Sequence, residues 1–243
     1  MNIEKLTQII KDSNNIVFFG GAGVSTESNI PDFRSVDGLY NIVDKHKYSP
    51  EEMLSHSFFY SHTKDFYNFY KYKMIYPEAK PNQAHIALAK LEDIGKLKAI
   101  ITQNIDGLHQ AAGSRNVFEL HGSVHRNFCN RCNTFYPLEF IMNSNDIPLC
   151  PHDGAIIKPD VVLYEEGLND EIVNCAIDAI SKADVLIIGG TSLVVYPAAS
   201  LIQYFRGSHL VLINKSSTQY DNSADLVIND SIGKVLGTII NNL

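Results

Sequence analysis

Short apolar runs that stop at glycine or at a polar loop recur along the chain, at 16–19, 99–101, 185–188 and 210–213. Runs of this length without alternation suit strands buried on both faces, as in a parallel sheet. Between them the spacing becomes helical. In 81–91, Ala84, Leu88 and Leu91 share one face, and in 170–181 Ile172, Val173, Ala176, Ile177 and Ile180 do the same. This alternation predicts an α/β fold with a doubly wound parallel sheet. At the N-terminus Ile3, Leu6, Ile9 and Ile10 make a helical stripe interrupted by Glu4, Lys5, Lys11 and Asp12, which is unlike a signal peptide.

Two stretches leave the alternation. The segment 35–80 is dense in Tyr and Phe, and 124–158 holds three of the four cysteines with little helical periodicity. Both read as insertions into a nucleotide-binding domain made of 1–35, 81–123 and 159–243. The first insertion, 36–80, is expected to be helical, and the second, 124–158, to be a small module held by metal. With 243 residues there is enough chain for one substantial core, not two large ones. A net charge of −7 argues against direct nucleic-acid or anionic-lipid binding, and the apolar runs are too short to cross a bilayer. Few cysteines, two of them as a Cys-x-x-Cys pair, suit a reduced compartment, so a cytoplasmic address is expected.

The candidate chemistry begins after the first strand with Gly20-Gly21-Ala22-Gly23-Val24-Ser25-Thr26. Glycines let a backbone turn sharply and present N–H groups to a pyrophosphate, which a following helix N-terminus stabilises. Thr26 replaces the third glycine of the dinucleotide fingerprint and no acidic ribose ligand is evident, which argues against a hydride-transferring dehydrogenase. A phosphate cradle and a plain tight turn both remain open. Asn104 and Asp106 lie just past a predicted strand, where open sheets bind ligands. An amide and a carboxylate suit a carboxamide and sugar hydroxyls, and equally suit capping of a helix near Gly107. His121 has the side chain best suited to proton exchange near neutrality.

Cys129-Asn130-Arg131-Cys132 and Cys150 suggest tetrahedral zinc with an incomplete second pair. In Cys150-Pro151-His152-Asp153 the alternatives are an Asp153 oxygen, a His152 nitrogen or a metal-free site. Cys175, in a predicted helix, reads as a small buried apolar residue.

These blocks, with Ser28-Asn29-Ile30-Pro31-Asp32-Phe33-Arg34-Ser35, Glu119-Leu120-His121-Gly122-Ser123, Lys158-Pro159-Asp160-Val161-Val162 and the run from Gly190 to Ala198, make the chain resemble the sirtuins over most of its length. The resemblance implies a Rossmann-like doubly wound sheet with a zinc-binding module and a helical insertion. It implies an NAD-consuming protein-lysine deacylase, a deacetylase in the first instance, that yields nicotinamide, O-acyl-ADP-ribose and free lysine from an acylated-lysine protein or peptide. An ADP-ribosyltransferase on the same fold and a catalytically idle NAD-binding sensor are the alternatives.

By that resemblance the NAD site takes in Gly21, Ala22, Gly23, Ser25, Asp32 and Gln103. Asp106 and the Ile105 backbone hold the carboxamide, while Asn104 and Ser25 order the ribose and its water. Phe33 shields the reacting sugar carbon, Arg34 meets the phosphates, and His121 is the general base. Gly190, Thr191 and Ser192 meet phosphate and ribose, and Asn214 the adenine ribose. Structural zinc falls to Cys129, Cys132 and Cys150, with Asp153 in the register of the family's fourth ligand. The peptide adds as a strand between 161–166 and 192–197, against Val161, Val162, Tyr164 and Val194. Tyr67 and Tyr70 occupy the positions where acid-preferring members carry Tyr and Arg, which implies a preference for neutral acyl groups. Two departures stand out: Tyr164-Glu165-Glu166 for the usual Phe-Gly-Glu, and Gly20 for a usual threonine.

Overall fold

The computed structural model describes residues 2–32 and 48–243, so Phe33, Arg34 and the first part of the expected helical insertion lie outside the described residues. The chain opens with helix α1 (Asn2–Asp12) and strand β1 (Ile16–Gly20), followed by helices α2 (Pro50–Met53), α3 (His56–Ser61), α4 (Thr63–Lys73) and α5 (Gln83–Asp93). Next come β2 (Leu97–Thr102), α6 (Leu108–Ala111), β3 (Val117–Glu119), β4 (Gly122–Cys129), β5 (Phe135–Pro137), α7 (Leu138–Asn143) and β6 (Ile157–Val161). The last part holds α8 (Asp170–Lys182), β7 (Val185–Gly189), β8 (His209–Ile213), β9 (Leu226–Ile228) and α9 (Ile232–Ile240).

Six strands pair in parallel in the order β3-β2-β1-β7-β8-β9. The order reverses between β1 and β7, the switch point beyond whose carboxyl ends such sheets bind ligands. The pleat of β1 sends Ile16 and Phe18 into one core and Val17 and Phe19 into the other. The first core is closed by Leu6 of α1, Leu88 of α5 and Val235 of α9; the second by Ala176 and Ile180 of α8. Burial on both faces is why the strand runs show no polar alternation.

Local choices set the boundaries. The Asn82 side chain accepts from the Ala84 N–H at 2.9 Å, so α5 starts at Gln83. The same amide donates to Val24 O at 2.8 Å and Ser28 Oγ at 3.0 Å, tying the helix to the loop after β1. That loop does not lead into an α-helix as expected. It forms two 3₁₀ turns, Ala22–Val24 and Thr26–Ser28, so any phosphate there meets local N–H groups and not a long helix dipole. Cys175 is exposed on α8, contrary to its reading as a buried residue, because it falls off the stripe that carries Ala176 and Ile180.

A second, antiparallel sheet has the order β5-β4-β6. Phe58, Phe66, Tyr67 and Tyr70 of the helical segment share one core with Cys129 and Ile157 of this small sheet and Ile141 of α7. The two stretches that left the alternation therefore bury each other's apolar surface. The small sheet begins at Gly122 and ends at Val161, outside the 124–158 window, because both strands continue up to the junction with the large sheet. Among the described residues no helix is long and apolar enough to cross a membrane.

Candidate active site at the crevice of the sheet

The loops that leave β1, β2 and β7 wall a cavity of about 1100 Å³, enough for a dinucleotide and a substrate side chain. Gly21, Ala22, Gly23 and Ser25 come from the first loop, Gln103, Asn104, Ile105 and Asp106 from the second, and Gly190, Thr191 and Ser192 from the third. Asp32, His121 and Asn214 complete the lining from elsewhere in the chain. The first and third loops touch backbone to backbone, with Gly23 N–H donating to Gly190 O at 2.8 Å. A Cβ on Gly23 would sit 2.8 Å from Gly190 Cα, and Gly190 itself has φ +60°, so the contact demands glycine on both sides.

Behind the second loop, Asn104 Nδ2 donates to Ser25 Oγ at 3.0 Å, and Ser25 Oγ donates to Asp106 Oδ2 at 2.7 Å. Asp106 Oδ1 accepts the Leu108 N–H at 2.9 Å. The Asp106 carboxylate thus accepts the first N–H of α6, and Asp106 also lines the cavity, whereas Asn104 caps no helix. Ser25 and Asn104 are buried, which fixes the network's geometry.

His121 sits between β3 and β4 with Nδ1 3.0 Å from Gln103 O. A carbonyl can only accept, so Nδ1 carries the proton of the neutral ring and Nε2 keeps a free lone pair. Burial pushes the imidazole below its ordinary 6.5, against the opposing Gln103 carbonyl, so it is a neutral base at pH 7. Next to it Gly122 has φ +75°, and a Cβ there would lie 1.9 Å from Asp160 O, so only glycine lets β6 pair beside the imidazole.

Asn214, just past β8, lines the cavity and also holds the third loop. Its Oδ1 accepts the Thr191 N–H at 3.1 Å and its Nδ2 donates to Thr191 O at 2.9 Å, bracing the third loop. Each amide atom retains capacity for one further bond. Tyr70, Val161, Val162 and Tyr164 line the cavity; Tyr67 and Val194 do not. Tyr67 is a core aromatic whose hydroxyl donates to Ile157 O, and Val194 is exposed beside the crevice. Sequence reasoning missed His125, a lining residue with Nε2 3.0 Å from Asp106 O. Its even spacing from His121 along extended chain was the available signal.

The Glu165 departure has a local explanation. Glu165 adopts φ +75°, and its carboxylate accepts from Ser57 N at 2.9 Å and Ser57 Oγ at 3.0 Å. Glu166 accepts from Leu163 N at 2.9 Å and Lys158 Nζ at 3.1 Å, with His56 Nδ1 2.8 Å away. These bonds pin the segment after β6 to α3 and offset the roughly 1–2 kcal/mol cost of a left-handed non-glycine residue.

In the small module Cys129, Cys132, Cys150 and Asp153 bring their ligand atoms within 4.8 Å of one another, and His152 is outside the cluster. Tetrahedral zinc with bonds of about 2.3 Å to sulfur and 2.0–2.2 Å to oxygen has edges of about 3.5–3.8 Å. The observed separations are 3.6 Å between Cys132 and Cys150 Sγ and 3.4 Å between Cys129 Sγ and Asp153 Oδ1. The N–H groups of Arg131 and Cys132 both point at Cys129 Sγ from 3.4 Å. The Ala155 N–H holds the Asp153 carboxyl down at about 2, so it is an anionic oxygen donor. Three cysteines and one aspartate form a four-ligand donor set that fits structural zinc.

Arg126 of β4 joins the two sheets. It donates to Glu119 Oε2 of β3 at 2.6 Å and to Asp160 Oδ2 of β6 at 2.7 Å, while Gln110 supports Glu119 from 2.9 Å. The Glu119 side chain is 8% exposed and that of Arg126 38%. Breaking a fully buried pair costs about 3–5 kcal/mol, and partial exposure of Arg126 reduces the expected loss for Arg126→Met to about 2 kcal/mol. Urea melts should show that loss, and Arg126→Met combined with Glu119→Gln should recover most of it. A double variant no better than the single one would mean that Arg126 acts by packing alone.

Strand order, the glycine contact at the switch point and the cavity beyond it define a dinucleotide-binding α/β protein with a metal-stapled module. The chain belongs to the Sir2 family, whose model matches residues 21–197. It is 70% identical to the NAD-dependent protein deacetylase of Clostridium perfringens and 64% identical to that of Clostridium acetobutylicum, covering 98% of this chain and of each relative. Among solved structures, a Sir2 protein with a deacetylated p53 peptide and 3'-O-acetyl ADP ribose superposes with a TM-score of 0.91 at 39% identity, over 100% of this chain and 98% of that one. A Sir2 bound to acetylated peptide gives 0.86 at 38% identity, with the same coverage.

Proposed function

We propose that this chain is an NAD-dependent protein-lysine deacetylase in which NAD is consumed and the zinc is structural. The observation that carries the reading is convergence: the Ser25, Asn104 and Asp106 network and the free Nε2 side of His121 meet on one cavity beside the glycine cradle. When bound, NAD would supply an activated sugar carbon with nicotinamide as its leaving group, open to the acyl oxygen of the substrate lysine. Asp106, held by Ser25 and the Leu108 N–H, and the Ile105 backbone orient the carboxamide. Asn104 orders the ribose, and His121 Nε2 takes a proton from a ribose hydroxyl and later returns one. The loops around Gly21, Ala22, Gly23 and Gly190 hold the phosphates, and Asn214 keeps Thr191 and Ser192 in place for the sugar. Among the described residues, Asp32 and Gln103 complete this site. The apolar walls keep water from the developing cation.

The acylated peptide lies as an added strand between 161–166 and 192–197, where Val161, Val162, Tyr164 and Val194 meet it and backbone bonds supply most of the affinity. A cytoplasmic address belongs to the same proposal, because a reducing compartment preserves thiolate ligands.

The test is mass spectrometry of the products from an acetyl-lysine peptide and NAD. Free lysine peptide, nicotinamide and O-acetyl-ADP-ribose are expected in equal amounts; ADP-ribose transferred to protein, or nicotinamide release indifferent to the peptide, would refute the reading. In the same assay acetyl should exceed succinyl by at least about tenfold in kcat/KM, since a carboxylate buried without a cation is heavily penalised. Lys71 is engaged with Ser144 O at 2.6 Å and Ser144 Oγ at 2.8 Å, and Lys73 Nζ sits 4.9 Å over the exposed ring of Tyr72. A better rate with succinyl would require another cation at the acyl end.

A further inference from the structure

Two consecutive carbonyls of the second loop are held by β4. The Val124 N–H donates to Ile105 O at 3.0 Å, and His125 Nε2 lies 3.0 Å from Asp106 O. A carbonyl only accepts, so Nε2 carries a proton, in the neutral ring and in the cation alike. The strand makes room for this contact, because its pairing with β6 lapses between Ser123 and Asn127. Within that lapse the His125 N–H turns to Ser123 Oγ at 3.3 Å, and the ring reaches across to the loop.

The ring also lies over Gly107. A Cβ there would come 2.7 Å from His125 Cδ2, and Gly107 has φ +72°. Glycine after Asp106 leaves the peptide between them the freest in the loop to rotate, and His125 grips its carbonyl. Rotation of that peptide would withdraw the Leu108 N–H from Asp106 Oδ1, where it sits at 2.9 Å. Of its two hydrogen bonds among the described residues the carboxylate would then keep one, from Ser25 Oγ at 2.7 Å, and lose its fixed orientation at the cavity that Asp106 lines.

We propose that His125 is a positioning residue for the nicotinamide end of the site, holding the Asp106–Gly107 peptide so that the Asp106 carboxylate stays set for the carboxamide of NAD. This rests on the deacetylase reading, in which Asp106 meets the carboxamide, and adds the residue that keeps it there. The reaction is unchanged. What His125 sets is the affinity for the nicotinamide half of NAD and for free nicotinamide, which returns to the same place as a product.

Calorimetry with NAD and with ADP-ribose, which lacks the nicotinamide, isolates this role. His125→Ala removes ring and donor, His125→Phe keeps a ring over Gly107 without the donor, and His125→Gln keeps an N–H at similar reach. The first two should each raise the Kd for NAD by about 3- to 10-fold, the worth of one neutral hydrogen bond, and leave that for ADP-ribose unchanged. The nicotinamide concentration that halves deacetylation of an acetyl-lysine peptide should rise by the same factor, and His125→Gln should recover most of both losses. Equal NAD affinity in the wild type and His125→Phe overturns the inference, as does a loss that ADP-ribose shares or that His125→Gln fails to recover. Asp106→Asn, measured alongside, should weaken NAD and spare ADP-ribose; if it does not, the carboxamide contact is misplaced and the inference falls with it. Wild-type protein that binds NAD but frees no lysine from the acetyl peptide sinks the deacetylase reading instead, while the two affinities still decide for His125.

Discussion

Replacing His121 with alanine is expected to lower deacetylation by about 10²- to 10⁴-fold while NAD binding and the fold persist. The imidazole is half-buried and makes one bond, to the Gln103 carbonyl, whereas the structural tie at this position is the backbone bond from Val162 N to His121 O at 3.0 Å. Alanine keeps that tie and removes only the proton acceptor. The sign of the pH dependence follows from the ring's state. A base works when neutral, and burial lowers its proton affinity, so wild-type activity should hold as pH falls to 6.5 and decline only below that. Rates on an acetyl-lysine peptide across pH, alongside calorimetric NAD binding, check both statements. A purified variant that deacetylates at near wild-type rate would remove His121 from the mechanism.

Losing the metal should be the largest effect on stability. Isolated zinc modules bind with roughly 10–16 kcal/mol of apparent free energy. If a third of that supports this fold, about 3–5 kcal/mol is at stake, which lowers the Tm of a domain of this size by roughly 10 °C. Cys129 and Cys150 are buried in the core that also holds Tyr70 and Val161, so a loosened module disturbs the cavity wall as well. We expect about one zinc per chain by metal analysis, and the Tm loss on replacing Cys150 with alanine. Metal-free protein that melts at the same temperature and keeps its activity would show that Asp153 has retired the site.

The buried strands and the helices at 81–91 and 170–181 were legible because a doubly covered sheet imposes unbroken apolar runs and its helices impose a 3.6-residue stripe. β9 was not, since a three-residue strand has no period to detect. The glycine loop was legible as a backbone device, but the chain after it was expected to form a helix, and only Asn82 reaching back to Val24 and Ser28 shows why two short turns stand there. The roles of Tyr67 and Tyr70 could not be separated in sequence. Both lie on the inward face of α4, and which one borders the cavity depends on strand β6, more than eighty residues later in the chain. Glu165 was visible as a departure, while its tie to Ser57 was hidden by the same long separation. Asp153 over His152 was decided by the direction of a turn, about which adjacent residues carry no advance signal.

β4 begins at Gly122, immediately after the proposed base, and ends at Cys129, a zinc ligand. Eight residues of extended chain make a rod of about 26 Å, with the chemistry at one end and the metal staple at the other. Its pairing with β6 is interrupted between Ser123 and Asn127, and Arg126, which grips both sheets, lies in that gap. The rod therefore has one joint, and the joint is clamped. Where the backbone ladder lapses, the two Arg126 ion pairs carry the connection, so side-chain charge there does what backbone hydrogen bonds do along the rest of the strand.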